Sequence, residues 1–453
     1  MDDWKEYKFS EIASFISEKI NISDITTDFY ISTDNMIPNF GGIFPAEKLP
    51  QASKCNSFKK YDILFSNIRT YFKKIWLATF SGGCSADVLV IRSKDENLIL
   101  QKYLYLLICS PDFINFTIAS SNGAKMPRGD KNAMLNYTLL VPPISYQKKA
   151  INLYLKFNAK IELNTQTNQT LEAIAQAIFK HWFIDFAPVH AKADALAAGK
   201  TAEQAELAAM TSISGKTEAD IIKLANSNPQ AYQQLQQTAA AFPSEFVESE
   251  MGLVPKGWEV KPLDEICSMK NGYAFKSKEW TDSGIPVIKI GSVKPMIVDV
   301  DSNGFVDTEN EFLRKEFLVQ AGDILIGLTG YVGEVGRIPN NRKAMLNQRV
   351  AKFLPNKINE YISYYCFVYC LARSQQFKQF AETYSKGAAQ ANVSTKDLLT
   401  YPTVIANDVI HIAFEKQVFA ILEKILVNAG MNETLAQTRD TLLPKLLSGE
   451  IKL

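Results

Sequence analysis

The feature that most constrains the fold of this chain is an internal sequence repeat. Four short motifs of the first half recur in the second half in the same order, with offsets that run from 254 to 264 residues. The motif pairs are Trp4–Ile12 with Trp258–Ile266, Tyr61–Ser66 with Gly322–Gly327, Ser121–Lys125 with Ser385–Ala389, and Asn168–Leu171 with Asn432–Leu435. Each match is short, but their common order indicates two diverged copies of one domain.

Each copy reads as a mixed α and β segment. Strand-like runs bounded by turn residues come first, apolar helical segments follow, and a proline-marked exit leads into a long terminal helix. The strands are represented by Val88–Ile91 and Ile285–Ile290, the helical segments by residues 98–119 and 359–381, and the exits by Val141–Pro143 and Tyr401–Pro402. The 453 residues are enough for two or three domains, so we predict an α+β protein with two similar domains.

The two terminal helices carry matching heptad patterns. Residues at alternating spacings of four and three form one stripe on each helix, which is typical of a coiled coil. The positions are Phe157, Ile161, Asn164, Asn168, Leu171, Ala175, Ile178 and Trp182 in the first helix, and Ile421, Ile425, Asn428, Asn432, Leu435, Arg439, Leu442 and Leu446 in the second. Both stripes place Asn at the same two positions, and a buried Asn fixes the register because it needs a matching polar group. We predict that the helices pair with each other; the alternative is that each packs only on its own domain.

The second helix and the segment between the copies depart from this regular pattern. Gly430 lies inside the second helix, and Pro444 is expected to end or kink it near Leu443, which would leave Leu446 beyond the regular stripe. The segment 187–250 is rich in Ala and Gln and predicts an added helical element or a linker. The two helices predicted within it are Ala191–Met210 and Asp220–Ala241.

Composition places the chain among globular proteins. Apolar residues make up 47% and charged residues 21%, which excludes a disordered, collagenous or disulfide-rich chain. No apolar run of roughly 18 residues is present, and residues 1–10 lack the basic and apolar regions of a signal peptide. The six cysteines are therefore expected to be free thiols of a cytoplasmic protein.

Familiar catalytic and metal-binding motifs are missing from the sequence. Gly215–Thr217 is similar to the end of a phosphate-binding loop, but Met210 stands where that motif needs its first glycine. Cys366 and Cys370 lie one helical turn apart, yet the chain has only three histidines and none is near them in sequence. We therefore expect no catalytic residue, no metal site and no cofactor in this chain, and favour a binding protein.

Positive charge is concentrated in two stretches, one in each copy. The formal net charge of the chain is +1, but residues 54–131 carry 12 Lys or Arg against 6 Asp or Glu, and residues 314–396 carry 12 against 5. Two separated basic stretches are typical of two local phosphate-binding surfaces. They are equally compatible with two solvated faces, and charge alone leaves both interpretations open.

Several motifs resemble those of the specificity (S) subunit of type I restriction–modification systems. They are Trp258–Leu263, Gly272–Lys276, Gly322–Ile326 and Leu346–Gln348 in the second copy, Tyr61–Arg69 and Gly123–Pro127 in the first, the helix segment Asn168–Phe186, and the terminal stretch Leu442–Glu450. The resemblance covers nearly the whole chain apart from residues 190–245. The duplicated arrangement of the motifs is its most specific feature.

The resemblance implies two β-rich target-recognition domains joined by two long antiparallel helices that form a coiled coil. The implied boundaries are 1–143 for the first domain, 144–187 for the first helix, 188–250 for an Ala/Gln-rich helical linker or insertion, 251–404 for the second domain, and 405–453 for the second helix and tail. Each domain is expected to read one half of a bipartite, asymmetric sequence in double-stranded DNA. Two methyltransferase subunits and restriction–translocase subunits are the implied partners, and S-adenosylmethionine, ATP and Mg²⁺ belong to those partners.

Basic side chains interleaved with aromatic and amide groups are the candidates for DNA contact, because Lys and Arg bind phosphates while amides and rings reach bases. In the first copy they are Arg69, Lys73, Lys74, Lys125 and Arg128, and in the second they are Tyr273, Lys276, Tyr331, Arg337, Asn347, Gln348, Arg349 and Lys386. Two other functions stay open at this point. One is a coiled-coil scaffold that does not read DNA, and the other is a stand-alone nuclease or methyltransferase with a diverged site.

Overall fold

The computed structural model describes residues 3–123, 125–301, 304–385 and 392–451, which divide into two compact units. The first unit combines Met1–Ile161 with Thr434–Leu453, and the second unit comprises Glu162–Glu433. Both long helices cross this division, so each unit contains one copy of the globular domain and a segment of each helix. The predicted α+β class with two similar domains is confirmed.

The described part of the first unit contains two four-stranded sheets and a two-stranded one. Its strands are β1 (Lys5–Lys8), β2 (Ala13–Ile16), β3 (Lys19–Asn21), β4 (Tyr30–Ile31), β5 (Lys54–Phe58), β6 (Ile63–Ser66), β7 (Ile75–Leu77), β8 (Gly82–Cys84), β9 (Val88–Ser93) and β10 (Thr138–Val141). Its helices are α1 (Phe9–Ile12), α2 (Gln101–Ile108), α3 (Pro111–Ala119), α4 (Lys131–Asn136) and the first part of α5 (Ile144–Phe183). The sheet orders are β2-β9-β6-β7, β3-β5-β8-β4 and β1-β10.

Residues 187–241 form four short helices, so the prediction of two longer ones was wrong. They are α6 (Ala187–Ala197), α7 (Ala202–Ser214), α8 (Glu218–Ser227) and α9 (Pro229–Ala241). Local signals divide each predicted span. Gly199 ends the first with a φ of +76°, and the side chain of Thr201 then caps the N-terminus of α7. Asn228 and Pro229 divide the second span, because Asn caps α9 and Pro occupies its first turn.

The four helices are packed into the core of the second unit. Val189, Met210 and Phe242 are at most 2% exposed and belong to the same apolar cluster as Trp182 and Phe183. The ring centroids of Trp182 and Phe242 lie 5.4 Å apart in an edge-to-face contact. This segment is therefore an ordered part of the second unit.

The second unit repeats the plan of the first with additional strands. Its strands are β11 (Phe246–Ser249), β12 (Gly252–Pro255), β13 (Glu259–Pro262), β14 (Cys267–Asn271), β15 (Trp280–Thr281), β16 (Ile285–Ile288), β17 (Met296–Ile297), β18 (Phe305–Val306), β19 (Leu318–Gln320), β20 (Ile324–Gly327), β21 (Val335–Arg337), β22 (Lys343–Leu346), β23 (Val350–Pro355) and β24 (Pro402–Ile405). Its helices, besides those already given, are α10 (Asn310–Leu313), α11 (Tyr365–Arg373), α12 (Gln375–Tyr384), α13 (Thr395–Leu399) and most of α14 (Asp408–Leu447). The sheet orders are β14-β23-β20-β21-β17, β15-β18-β16-β22-β19, β13-β24 and β11-β12.

The duplication extends from sequence to topology. The order β2-β9-β6-β7 in the first copy corresponds to β14-β23-β20-β21 in the second, and both α5 and α14 are 40 residues long. Even the helix caps are repeated, since Ser110 accepts a hydrogen bond from the backbone of Phe113 and Ser374 accepts one from Phe377. Among the residues described, no helix combines the length and the apolar character that a membrane crossing requires.

Within the second unit, the two long helices run antiparallel and are joined through their asparagines. Asn164 donates its amide N–H to Asn432 Oδ1 at 2.8 Å, and Asn428 donates to Asn168 Oδ1 at 2.9 Å. Asn168 in turn donates to the backbone carbonyl of Ile425 at 3.1 Å. Three of these amides are at most 5% exposed, so they depend on each other rather than on water. The predicted pairing of the helices is confirmed here.

Within the first unit, the helix segments also meet through specific hydrogen bonds. The hydroxyl of Tyr146 on α5 donates to the carbonyl of Leu446 at 3.0 Å and to that of Ile451 at 2.7 Å. Arg439 on α14 donates to Asn158 Oδ1 at 2.8 Å.

The other stripe residues predicted to pair, which are distributed over both units, are buried or partly buried. They are Phe157, Ile161, Leu171, Ala175, Ile178, Trp182, Ile421, Leu435 and Leu442.

Pro444 does not end α14, contrary to the prediction. The helix continues to Leu447, and the backbone N–H of Ser448 donates to the carbonyl of Pro444 at 2.9 Å. Proline leaves the carbonyl four residues earlier without its helical donor, but that residue, Asp440, is exposed, where water can replace the bond. Leu446 is consequently part of the helix, and its side chain is buried at 3% exposure. It does not lie beyond the stripe.

A double-mutant cycle tests whether the paired amides are coupled. Asn168→Leu and Asn428→Leu each leave one buried amide without its partner, so each should lower the apparent free energy of unfolding by about 1–3 kcal/mol. The double variant should lose less than the sum of the two, by about 1 kcal/mol, because it leaves no orphaned amide. Urea unfolding measures the cycle, with Gln169→Leu on the exposed face of α5 as the control. Additive losses would contradict the pairing.

Candidate nucleic-acid interface

In the first copy, the candidate basic residues surround the loop between β6 and β7. This loop, residues 67–74, contains one tight helical turn, and Arg69 and Lys73 on either side of it have φ angles of +50° and +53°. Such angles are uncommon for residues other than glycine, so the surroundings must hold the loop in shape. The turn presents Tyr71 and Phe72 to solvent with their ring centroids 4.7 Å apart, and the Tyr71 side chain is 46% exposed.

A second loop, described over residues 121–123 and 125–130, supports the first. The backbone N–H of Arg69 donates to the carbonyl of Pro127 at 2.8 Å, and its guanidinium donates to the carbonyl of Lys125 at 3.5 Å. Gly129 lies at the contact, where an added Cβ would come within 2.8 Å of Asn67 Oδ1 on the first loop. Close backbone packing thus brings residues that are far apart in sequence onto one surface.

The basic candidates of the first copy lie on these two loops, but they differ in exposure and in the contacts that they already make within the protein. Lys73 and Lys125 are exposed. Arg128 is exposed and forms an ion pair with Asp87 at 2.9 Å, and Lys74 donates to a backbone carbonyl at 2.5 Å. Exposed cations can bind phosphate oxygens, and the two exposed rings beside them can stack on bases.

The second copy builds a corresponding surface from different side chains. The loop between β20 and β21, residues 328–334, presents Tyr331, which is 65% exposed. Arg349 supports this loop, because its guanidinium donates to the hydroxyl of Thr329 at 3.3 Å. Arg349 and Gln348 are themselves exposed at the end of β22. An aromatic ring, an amide and a guanidinium therefore share one surface, which is a combination suited to base edges.

Tyr273 and Lys276 lie in the segment that runs beside this surface. The N–H of Tyr273 donates to the end of β22 at 2.8 Å, and Tyr273 forms a backbone bridge with Asn347, which is partly buried. The guanidinium of Arg314 stacks on the Tyr273 ring at 4.5 Å, so one face of that ring already has a partner. Lys276 is exposed.

One predicted DNA contact is not part of this surface, and another lies outside the described residues. Arg337 is 0% exposed, and its guanidinium donates to the carbonyl of Leu422 on α14 at 3.0 Å. The prediction that Arg337 contacts DNA was wrong because β21 is buried on both of its faces. Lys386 lies outside the described residues, as do residues 387–391.

Several cations that the sequence did not single out lie over aromatic rings of the second copy. The Lys294 Nζ is 5.9 Å from the centre of the Tyr331 ring, and the Lys289 Nζ is 3.9 Å from that of Trp280. Arg314 over Tyr273 is another. Lys289 and Lys294 precede the second basic stretch in sequence, so no local signal connects them with the rings they cover.

Comparison with known proteins gives a consistent result. Residues 1–173 and 255–423 match the family model described as the type I restriction modification DNA specificity domain. The chain is 31% identical over 467 aligned residues to the type I restriction enzyme HindI specificity subunit of Haemophilus influenzae, with all of both chains covered. It is 24% identical to the MjaIX specificity subunit of Methanocaldococcus jannaschii, with 78% of this chain and 70% of that one covered.

The fold is also similar to that of a solved structure. The crystal structure of the type I restriction–modification system S subunit from M. genitalium superposes with a TM-score of 0.51 at 15% identity, covering 98% of this chain and 96% of that one. At that identity the match bears on the fold alone. The two ranges that match the family model each contain one of the two candidate loops.

Charge reversal in the first loop tests whether it binds phosphates. Arg69→Glu with Lys73→Glu should weaken binding of the chain to a mixed-sequence duplex and should reduce the slope of log affinity against log salt by about 1.8, because each phosphate contact contributes about 0.9. Fluorescence anisotropy across a salt series measures both quantities. Lys216→Glu with Lys223→Glu, two exposed cations of the helical segment, is the matched control. Equal losses in both variants would show that only net charge matters.

Proposed function

The chain belongs to the family of specificity subunits of type I restriction–modification systems, with two recognition domains, and from this we propose that each domain reads one half of a bipartite, asymmetric DNA sequence. The observation that carries the proposal is the repeated placement of an exposed aromatic loop among cations, between β6 and β7 in one copy and between β20 and β21 in the other. The two loops differ in side chains: Tyr71 and Phe72 are followed by Lys73 and Lys74 in the first, and Tyr331 stands in a loop held by Arg349 in the second. Two domains with the same fold but different surface side chains are suited to the two different halves of an asymmetric DNA sequence.

We also propose that this chain is the non-catalytic member of its complex. The sequence has no nucleophile, metal-ligand or nucleotide-binding motif of the kinds that DNA modification and cleavage need. Methyl transfer with S-adenosylmethionine, and translocation and cleavage with ATP and Mg²⁺, would then belong to methyltransferase and restriction subunits in the cytoplasm. This chain would determine the DNA sequence at which the complex binds.

A pair of equivalent grooves supports docking of two copies of the methyltransferase subunit. The groove in the first unit has a volume of about 460 Å³, and the one in the second unit has a volume of about 620 Å³. Each lies between the turn that precedes β6 or β20, the start of α2 or α11, and the first turns of the long helix. The equivalent lining pairs are Tyr61 with Gly322, Gln101 with Tyr365, Ile151 with Glu415, Asn152 with Lys416, and Leu155 with Phe419.

Each groove presents one exposed apolar side chain from the long helix. Leu155 is 40% exposed in the first unit, and Phe419 is 51% exposed at the equivalent position in the second. Because the two positions are related by the duplication, one partner surface can fit both, and a chain with two equivalent sites binds two copies of the same protein. The proposal is therefore one methyltransferase subunit in each groove.

Mapping of methylated bases tests the DNA-reading proposal. The chain is co-expressed with its methyltransferase subunit, and methylated positions in the host DNA are sequenced. Methylation should occur at one asymmetric pair of short sequences with a fixed spacer. Gel-shift assays of the complex at two salt concentrations should show that specific binding survives salt better than binding to a random duplex. Methylation without sequence preference would contradict the proposal and favour a scaffold that does not read DNA.

Single substitutions in the grooves test the docking proposal. Leu155→Asp and Phe419→Asp each place a charge in an apolar contact, so each should reduce the methyltransferase content of the purified complex from two copies to one. Native mass spectrometry counts the copies directly. Leu163→Asp, on an exposed position of α5, is the control and should leave two copies bound. Two copies in all three variants would exclude the grooves as docking sites.

A further inference from the structure

The buried Arg337 joins the DNA-facing hairpin of the second unit to α14. It is the last residue of β21, the strand that begins directly after the Tyr331 loop. Its guanidinium donates to the carbonyl of Leu422 on α14 at 3.0 Å and to the hydroxyl of Tyr365 at 3.4 Å, and it lies 4.6 Å from the centre of the Tyr369 ring. The foot of the hairpin is therefore attached to the long helix by directional bonds.

The same cluster continues to the other long helix. Tyr369 donates its hydroxyl proton to Glu172 Oε2 on α5 at 2.8 Å, and Arg373 donates to Glu172 Oε1 at 3.1 Å. Tyr365 donates to the carbonyl of Gly322, just before β20, at 2.7 Å. We call Arg337, Tyr365, Tyr369, Arg373 and Glu172 the buried polar junction. It links both strands of the hairpin and α11 to α5 and α14.

The guanidinium of Arg337 lies where water does not reach it, at 0% exposure. Burial acts to lower the pKa of Arg337, but the neighbouring tyrosines and Glu172 raise it above its ordinary value, so the guanidinium stays charged. Glu172 is 7% exposed. Removing two such groups from water opposes folding, and their attraction offsets this only when the geometry is well defined.

The first copy shows that the fold does not need these charges. The strand registers make Leu77 the counterpart of Arg337, because Leu77 pairs with Ile63 on β6 as Arg337 pairs with Ile324 on β20. The helix offset of 264 residues gives the other counterparts. They are Gln101 for Tyr365, Tyr105 for Tyr369, Cys109 for Arg373 and Ala436 for Glu172. The same sheet order forms in that copy without the counterparts of Arg337 and Glu172 being charged.

Directional bonds and apolar contacts constrain a domain differently. Apolar side chains tolerate small sliding and rotation, because dispersion contacts have no preferred angle. A guanidinium that must reach one carbonyl and one hydroxyl loses both bonds after a small displacement. The junction therefore restricts how the hairpin can tilt on the two helices, which a second apolar core would not do.

We infer that Arg337 and Glu172 are positioning residues that fix the orientation of the second hairpin on the helix pair and thereby restrict the complex to one spacer length. This rests on the proposed function. One added base pair moves a half-site by about 3.4 Å along the duplex and rotates it by about 35°, so a rigidly held reader rejects it. A hairpin that is no longer held by the junction can tilt and so adapt to part of that displacement.

The test replaces the two charged residues with those at the equivalent positions of the first unit, Arg337→Leu together with Glu172→Ala. The variant is co-expressed with the methyltransferase subunit, and methylation rates are measured on the native target and on targets whose spacer is one base pair longer or shorter. The rate on altered spacers relative to the native one should rise about fivefold, the factor that corresponds to one buried hydrogen bond. The bases preferred in each half-site should not change.

The control is Lys256→Leu with Glu245→Ala, which removes an exposed ion pair of the second unit and should leave spacer preference unchanged. If the junction variant does not fold, Tyr369→Phe keeps the ring and removes only the bond to Glu172, and it should shift preference in the same direction by a smaller factor. Unchanged spacer preference in a folded, active variant would overturn the inference. A wild-type complex that methylates no bipartite target would instead overturn the proposed function.

Discussion

The structure depends on the asparagine pairs that join the two long helices. Two apolar stripes with a heptad repeat can pack in several registers that differ by one heptad, because leucine and isoleucine contacts are nearly interchangeable. Buried amides remove this freedom, since Asn164 meets Asn432 and Asn168 meets Asn428 in one register only. Any slip would leave amides without partners in a dry environment, at a cost of about 1–3 kcal/mol each.

That fixed register gives the duplicated domain two different environments. In the first unit, the helices are joined near the chain terminus by Tyr146 and Arg439. In the second unit, the domain is attached through charged groups, and the four added helices extend the same apolar core around Trp182 and Phe242. Duplication gives the two domains the same fold, and divergence has changed the contacts that attach each domain to the long helices.

The recognition surfaces diverged in the same way. Backbone packing places a hairpin loop at the same point of both sheets, which is a property of the topology. The side chains on the loops are free to vary because they contribute little to either core. Tyr71 and Tyr331 are both exposed rings, yet the first shares its loop with Phe72 and Lys73, while the second lies near Lys294 in a loop that Arg349 holds. A scaffold of this kind can change the sequence it reads without changing its fold.

The sequence by itself determined the duplication, the α+β class, the presence of the two long helices and the asparagines that pair them. These properties depend on periodicity and on local signals, which are fully present in the order of residues. Only the tertiary structure decided which charges reach solvent. Arg337 and Arg349 stand in the same basic stretch, yet one is buried against Leu422 and the other is exposed, because burial depends on what packs against both faces of a strand. The continuation of α14 through Pro444 and the stacking of Lys294 over Tyr331 were likewise set by neighbours distant in sequence or by solvent, which no local pattern reports.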